Sequence, residues 1–233
     1  MKITWIGQSG YIISTESTQI IIDPYLSDIV NKVANRPRMV DAPIAPEAIT
    51  ADAVICTHDH LDHLDPDAVT RMNDDLLFIT TNEGKAHLAE LGKNNVNAVS
   101  AGDSVNVGDI SITAVFADHT VEAFGLIIEA DGIKMYFSGD TLFNQKLFDI
   151  ADCKPDITFI CINGKLGNMN VDEAVAVAKK IGAEINVPNH YGMFASNTED
   201  PTKFTDRING GFIMELGKEY NISKTPKISF KPE

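Results

Sequence analysis

Three of the six histidines in this 233-residue chain fall within six positions, in Thr57-His58-Asp59-His60-Leu61-Asp62-His63. Neutral imidazole offers a lone pair near neutral pH, which makes histidine the commonest metal ligand. His58 and His60 follow the apolar run Ala53 to Cys56. Residues two apart in extended backbone point the same way, so both rings can grip one ion, at about 2.0–2.1 Å if it is zinc. Asp62 and His63 fall where the chain turns toward Asp65-Pro66, an N-cap followed by a first helical residue, and can face a second ion. Two ions roughly 3.5–4 Å apart can share an activated water. A polar surface turn and an unmetallated His/Asp pair are the alternatives. Neither accounts for three imidazoles and a carboxylate packed between a buried strand and a capped helix.

The elements that must position this cluster read as alternating strands and helices. Lys2 to Ile6, Tyr11 to Ser14 and Gln19 to Ile22 form a meander ending at Asp23-Pro24. The stretch from Tyr25 to Glu47 is a long loop with one short helix, and loops this long in compact domains are often functional. Beyond the cluster, a helix is predicted from Pro66 to about Met72, a strand over Leu77 to Thr80 and a helix over Asn82 to Leu91. Val96 to Val99, Ser104 to Val107 and Ile110 to Phe116 read as strands. Phe124 to Ala130 and Ile133 to Phe137 read as a hairpin across Asp131-Gly132. A helix near Gln145 to Ile150, a strand at Ile157 to Ile162, a helix at Val171 to Ile181 and a strand at Glu184 to Val187 complete the pattern. With no linker or low-complexity tract, residues 1–233 read as one domain.

Composition narrows the function classes. A net charge of −14 makes the chain a poor electrostatic partner for nucleic acid or an anionic membrane surface. No apolar run approaches the roughly 20 residues of a membrane span, and the N-terminal residues alternate like a strand, so the expected location is cytoplasmic. The three cysteines have no close pair. Cys56 and Cys161 lie in apolar runs and are expected to be buried core thiols. Oligomeric state is left open, a homo-oligomer being compatible with the sequence.

The segment His58-Asp59-His60-Leu61-Asp62-His63 resembles the signature of the metallo-β-lactamase superfamily, and further motifs follow in that superfamily's order. The resemblance runs from Met1 to about Tyr191. It implies a four-layer αβ/βα sandwich with two divalent ions, of zinc, manganese or iron. His58, His60 and His119 would hold one ion, Asp62, His63 and His190 the other. Asp140, in Phe137-Ser138-Gly139-Asp140-Thr141, would bridge them, and Asp23 would buttress the metal loop. Asp118 competes with His119 for the third motif. His87 has no metal partner nearby in sequence and is expected to be a surface or packing histidine.

What the resemblance implies chemically is hydrolysis by a metal-bound hydroxide, with Asp62 and Asp140 as the catalytic carboxylates. The motifs Ser138-Gly139-Asp140-Thr141, Asn163 to Asn170 and Val187-Pro188-Asn189-His190-Tyr191 are similar to the subgroup that includes L-ascorbate 6-phosphate lactonase. The expected substrate is therefore a small anionic lactone or ester, such as a sugar-phosphate lactone. A phosphodiesterase, a thioesterase and a non-catalytic metal-dependent binding protein are the alternatives. The loop 163–170 lies between a strand and a helix, where α/β enzymes bind ligands. Lys165 could hold a phosphate or carboxylate there, or be a solvated lysine, while Asn168 and Tyr191 could steady an oxyanion. Arg36 and Arg38, in the long early loop, are weaker candidates for such contacts and are expected to be surface charges.

Overall fold

The computed structural model describes residues 1–232. Its first sheet opens with β1 (Lys2–Gly7), β2 (Gly10–Ser14), β3 (Gln19–Ile22), β4 (Ala53–Ile55), β5 (Leu77–Thr80) and β6 (Val96–Ala98). The second contains β7 (Ser104–Val107), β8 (Ile110–Phe116), β9 (Phe124–Ala130), β10 (Ile133–Phe137), β11 (Ile157–Cys161) and β12 (Ile185–Asn189). A final hairpin, β13 (Glu219–Lys224) and β14 (Ile228–Pro232), returns to the first sheet. The orders are β14-β13-β1-β2-β3-β4-β5-β6 and β12-β11-β10-β9-β8-β7. In the first sheet β3 to β6 run parallel, and in the second β10 to β12 do.

The strands are buried on both faces because each sheet is covered twice. Ile20 and Ile22 face the other sheet, joining Ile13, Ile112, Leu126 and Ile128 in one core. Ile21, Val54, Cys56 and Phe78 point the other way, onto Leu64, Val69 and Leu88. That outer layer belongs to two helices, α2 (Pro66–Val69) and α3 (Asn82–Glu90), which follow the short α1 (Ile29–Ala34). On the far side α4 (Val171–Ile181) packs Ala174, Val175, Val177 and Ala178 into the main core. The result is the expected αβ/βα sandwich. Helix α4 shows why its segment is helical. Asn170 and Glu173 form a reciprocal capping box, Lys179 and Lys180 occupy the last turn, and Gly182 closes it in the left-handed conformation.

Three expectations need adjustment. The helix from Pro66 ends at Val69, with only turn-like bonds carrying on to Met72. The segment predicted as a helix near Gln145 is a 3₁₀ helix over Gln145–Cys153. Its inward residues, Leu147 and Ile150, with Cys153 partly buried, recur every three positions, the repeat that aligns side chains on a 3₁₀ helix. The closing hairpin β13–β14 was not assigned from sequence, and it adds to β1 by pairing Ile3 with Tyr220. Cys56 and Cys161 are buried and free, as expected. Among the described residues no helix is long and apolar enough to cross a membrane.

Candidate metal centre

The parallel strands of both sheets end at the same edge of the sandwich, and the polar residues that follow them converge there. Asp23 follows β3, His58 follows β4, Asp140 follows β10 and His190 follows β12. His119 comes from the loop after β8. An isolated bridge between His58 and Ala123 ties the edges of the two sheets together at this point.

Two triads of donor atoms result. His58 Nε2 lies 3.0 Å from His60 Nδ1, which lies 3.1 Å from His119 Nε2. On the other side His190 Nε2 lies 3.1 Å from Asp140 Oδ2 and 3.5 Å from Asp62 Oδ2, and His63 Nε2 is 3.3 Å from Asp140 Oδ1. His58, His63 and Asp140 form a further group that joins the two triads, so Asp140 sits between them. The structure thus brings together all seven residues expected as ligands. Asp118 turns away, its Oδ2 accepting from Asn144 Nδ2 at 2.8 Å, so His119 is the member of the pair that reaches the cluster.

Buried partners set the orientation of the rings. Asp23 is 1% exposed and accepts three bonds: from Thr57 N (2.7 Å), Thr57 Oγ1 (2.8 Å) and His63 Nδ1 (2.8 Å). Thr57 has spent its only hydroxyl proton on Asp23, so its oxygen accepts from His58 Nδ1 at 3.1 Å. One carboxylate therefore places a proton on Nδ1 of both His58 and His63 and turns both Nε2 atoms toward the centre, so that Nε2 is the ligating nitrogen of each neutral ring. His119 Nδ1 donates to the Gly167 carbonyl at 3.1 Å with the same effect. A side chain at Gly167 is barred twice. Its φ is +92°, and a Cβ would stand 2.8 Å from His119 Cε1.

Electrostatics divide the site into two halves. Burial pushes His58 well below the ordinary histidine range, and the His63 charge adds to this. Burial lowers His60 and His119 as well. These three imidazoles are neutral at pH 7. Burial works in the same direction on His63 and His190, but the Asp140 carboxylate, with other aspartates, outweighs it. His63 rises well above the usual range and His190 is pushed up to about 9. Asp62 and Asp140 are held low by these histidines despite their burial, so both are ionised.

Divalent ions fit this arrangement. His63 Nε2 and Asp140 Oδ1 are buried and face each other, at 3.3 Å without hydrogen-bond geometry, so both remain open to a further ligand. Five imidazoles and two carboxylates, without thiolate, suit zinc, manganese or iron.

A cavity of about 460 Å³ opens over the cluster, lined by His60, Asp62, Asp140 and His190 among others. The residues expected to meet substrate are placed differently. Lys165 is exposed and donates to the Ser196 carbonyl at 3.0 Å, because the loop turns at Gly164, Leu166 and Gly167 and puts Leu166, not Lys165, over the cavity. Tyr191 stacks on Trp5, with ring centroids 5.0 Å apart, inside the core. Asn168 is buried and donates to Asp140 Oδ2 at 2.9 Å, so it steadies a carboxylate of the cluster. Arg38 is no surface charge. It donates to the carbonyls of Tyr25, Ser27 and Val40 and lies over the Tyr25 ring. Arg36 lines the cavity.

Two contributors were not visible in the sequence. Gln8, in the turn between β1 and β2, is fully buried and donates to Asp62 Oδ2 at 2.7 Å, with the same nitrogen 3.1 Å from His190 Nε2. Thr57 passes the Asp23 constraint on to His58. Nothing in their local sequence marks either, because the contacts cross between distant strand ends. His87 is a packing histidine as expected, donating to Asp59 Oδ1 at 2.6 Å and bracing the histidine loop against α3.

Residues 2–190 match the model of the β-lactamase superfamily domain. The chain belongs to this superfamily. Within the superfamily it is 31% identical to a UPF0173 metal-dependent hydrolase of Methanosphaera stadtmanae, over 94% of this chain and 99% of that one. This β-lactamase-superfamily fold is shared with a possible metal-dependent hydrolase of Veillonella parvula, at TM-score 0.80 and 18% identity, covering 94% and 98% of the two chains. An isothiocyanate hydrolase from Delia radicum gut bacteria superposes at TM-score 0.79 and 21% identity, covering 98% and 100%. Both structural likenesses speak to the fold. The chain is thus a metal-dependent hydrolase of the UPF0173 family.

Proposed function

We propose that this hydrolase opens a small anionic lactone or ester at a centre of two divalent ions. His58, His60 and His119 would hold one ion, and Asp62, His63 and His190 would hold the other, with Asp140 within reach of both groups. When bound, such ions supply Lewis acidity and bring the pKa of a coordinated water toward about 7. The observation that carries the reading is the convergence of five imidazoles and two carboxylates beneath a cavity sized for a small molecule, which His60, Asp62, Asp140 and His190 line.

The chain's own groups define the rest. Asp62 is ionised and lines the cavity, Gln8 holds its Oδ2, and its Oδ1 has no hydrogen-bond partner among the described residues. Asn168 keeps Asp140 in place, and Leu166 shields part of the opening. The similarity of the loop motifs to the subgroup with L-ascorbate 6-phosphate lactonase supports a lactone. The net charge of −14 supports a small-molecule partner over nucleic acid.

The test pairs elemental analysis of wild type and His60→Ala with a screen of lactones, phosphodiesters and thioesters. About two equivalents of metal per chain, reduced in the variant, with lactone opening, is the expected result. Cleavage of phosphodiesters or thioesters alone would overturn the substrate class. Metal and ligand binding without turnover of any ester would make the chain a binding protein.

A further inference from the structure

We infer that Arg36 is the specificity determinant of this site, selecting substrates with an apolar body and one anionic group held away from the scissile bond. The inference rests on the hydrolytic reading above and narrows its substrate class.

Beyond the metal-cluster residues, the cavity wall is built from Val30 and Ala34 of α1, Leu61 of the histidine loop and Leu166 of the 163–170 loop, with Thr120 and Asn197 as its two uncharged polar side chains. Arg36 is the one arginine or lysine among the lining residues, and it stands apart from the metal cluster. It is half-buried, and it has no hydrogen bond or ion pair among the described residues although the chain carries a net charge of −14. In so acidic a protein an unpaired guanidinium beside an apolar wall is an open position for a carboxylate or phosphate. Its five donors form a planar fork suited to such groups.

The backbone holds this position firmly. Asn35 ends α1 in the left-handed conformation, at φ 52°, Pro37 follows Arg36 directly, and Arg38 is tied to three carbonyls. An anchored stretch removes the loop-ordering cost of gripping a ligand and leaves only that of the side chain. A second, smaller depression of about 290 Å³ reaches Arg36 from its other side, past Met39 and Phe194, and extends the apolar surface. A polyhydroxylated substrate would find only Thr120 and Asn197 for its hydroxyls and leave the others against apolar wall. An aryl or alkyl body would bury against them.

The test uses zinc-reconstituted protein and calorimetric titration with 4-phenylbutyrate and its neutral analogue 4-phenylbutyramide, on wild type, Arg36→Met and Arg36→Lys. The acid should bind wild type about tenfold more tightly than the amide, a preference lost in R36M and partly restored in R36K. Zinc content and the affinity for the amide should stay unchanged in both variants. If the preference for the acid persists in R36M, the charge is met at the metal centre and the inference fails. It fails equally if wild type shows no preference or binds neither ligand, or if both ligands weaken together. A matched pair of aryl lactones, one carrying a carboxylate and the other a carboxamide, separates this inference from the hydrolytic reading. Failure to open either, with the Arg36-dependent binding preference intact, would sink the lactonase reading alone.

Discussion

Asp23→Asn changes one atom in the buried support of the metal centre and should disable both halves of it. Asp23 presents only acceptors, and its three partners, Thr57 N, Thr57 Oγ1 and His63 Nδ1, all donate to it. An asparagine must place an NH₂ at one of the two oxygen positions. At the Oδ1 position it would confront the Thr57 N–H and leave two donors face to face. At the Oδ2 position it would donate to Thr57 Oγ1 and His63 Nδ1. His63 then carries its proton on Nε2, and the freed Thr57 hydroxyl can donate to His58 Nδ1 with the same result. Both Nε2 lone pairs are lost to metal. Loss of a partner that orients a ligand typically costs 10–100-fold in metal affinity, or about 1.4–2.8 kcal/mol. The fold should lose about 1.5–3 kcal/mol, one hydrogen bond to a charged group. Competition with a chromophoric chelator measures the affinities, and thermal melting of the metal-free protein measures the fold. Two equivalents bound by D23N with wild-type affinity would refute the relay from Asp23 through Thr57 to the histidines.

Gly167→Ala should weaken metal binding at the His58/His60/His119 position and lower the melting temperature, since the new Cβ meets the His119 ring and the φ of +92° adds about 1–2 kcal/mol of backbone strain. Gly182→Ala is the control. Its φ is +75°, but a Cβ there has open space, so it should cost stability without changing metal content. Metal affinity should also depend on pH. In metal-free protein His190 keeps its proton up to about pH 9, and His63 is shifted the same way, whereas a ligating imidazole must give its proton up. Affinity at the Asp62/His63/His190 position should therefore rise by about tenfold or more per pH unit toward pH 9, with proton release visible in calorimetry across buffers of different ionisation enthalpy. A flat profile from pH 7 to 9 would contradict the direction of both shifts.

Much of this protein is legible from local pattern. The apolar runs at Gln19 to Ile22, Ile110 to Phe116 and Val171 to Ile181 correspond to elements with the same limits, because strand and helix periodicity and capping are written in neighbouring residues. The histidine cluster likewise stands out, since four of the seven expected ligands, His58, His60, Asp62 and His63, lie between β4 and α2. Local pattern carries most of the elements, the closing hairpin excepted, and the expected ligands with their order along the chain. Only the tertiary structure decided which loop side chains face the cluster. It placed Lys165 on a carbonyl, Tyr191 in the core and Asn168 on Asp140, and it brought Gln8 from the β1–β2 turn onto Asp62. It also turned Arg36 into the cavity and locked Arg38 onto backbone carbonyls two residues later. The physical reason is that loop orientation depends on left-handed residues such as Asn35 and Leu166 and on contacts between strand ends far apart in sequence, and hydrophobic periodicity carries no record of either.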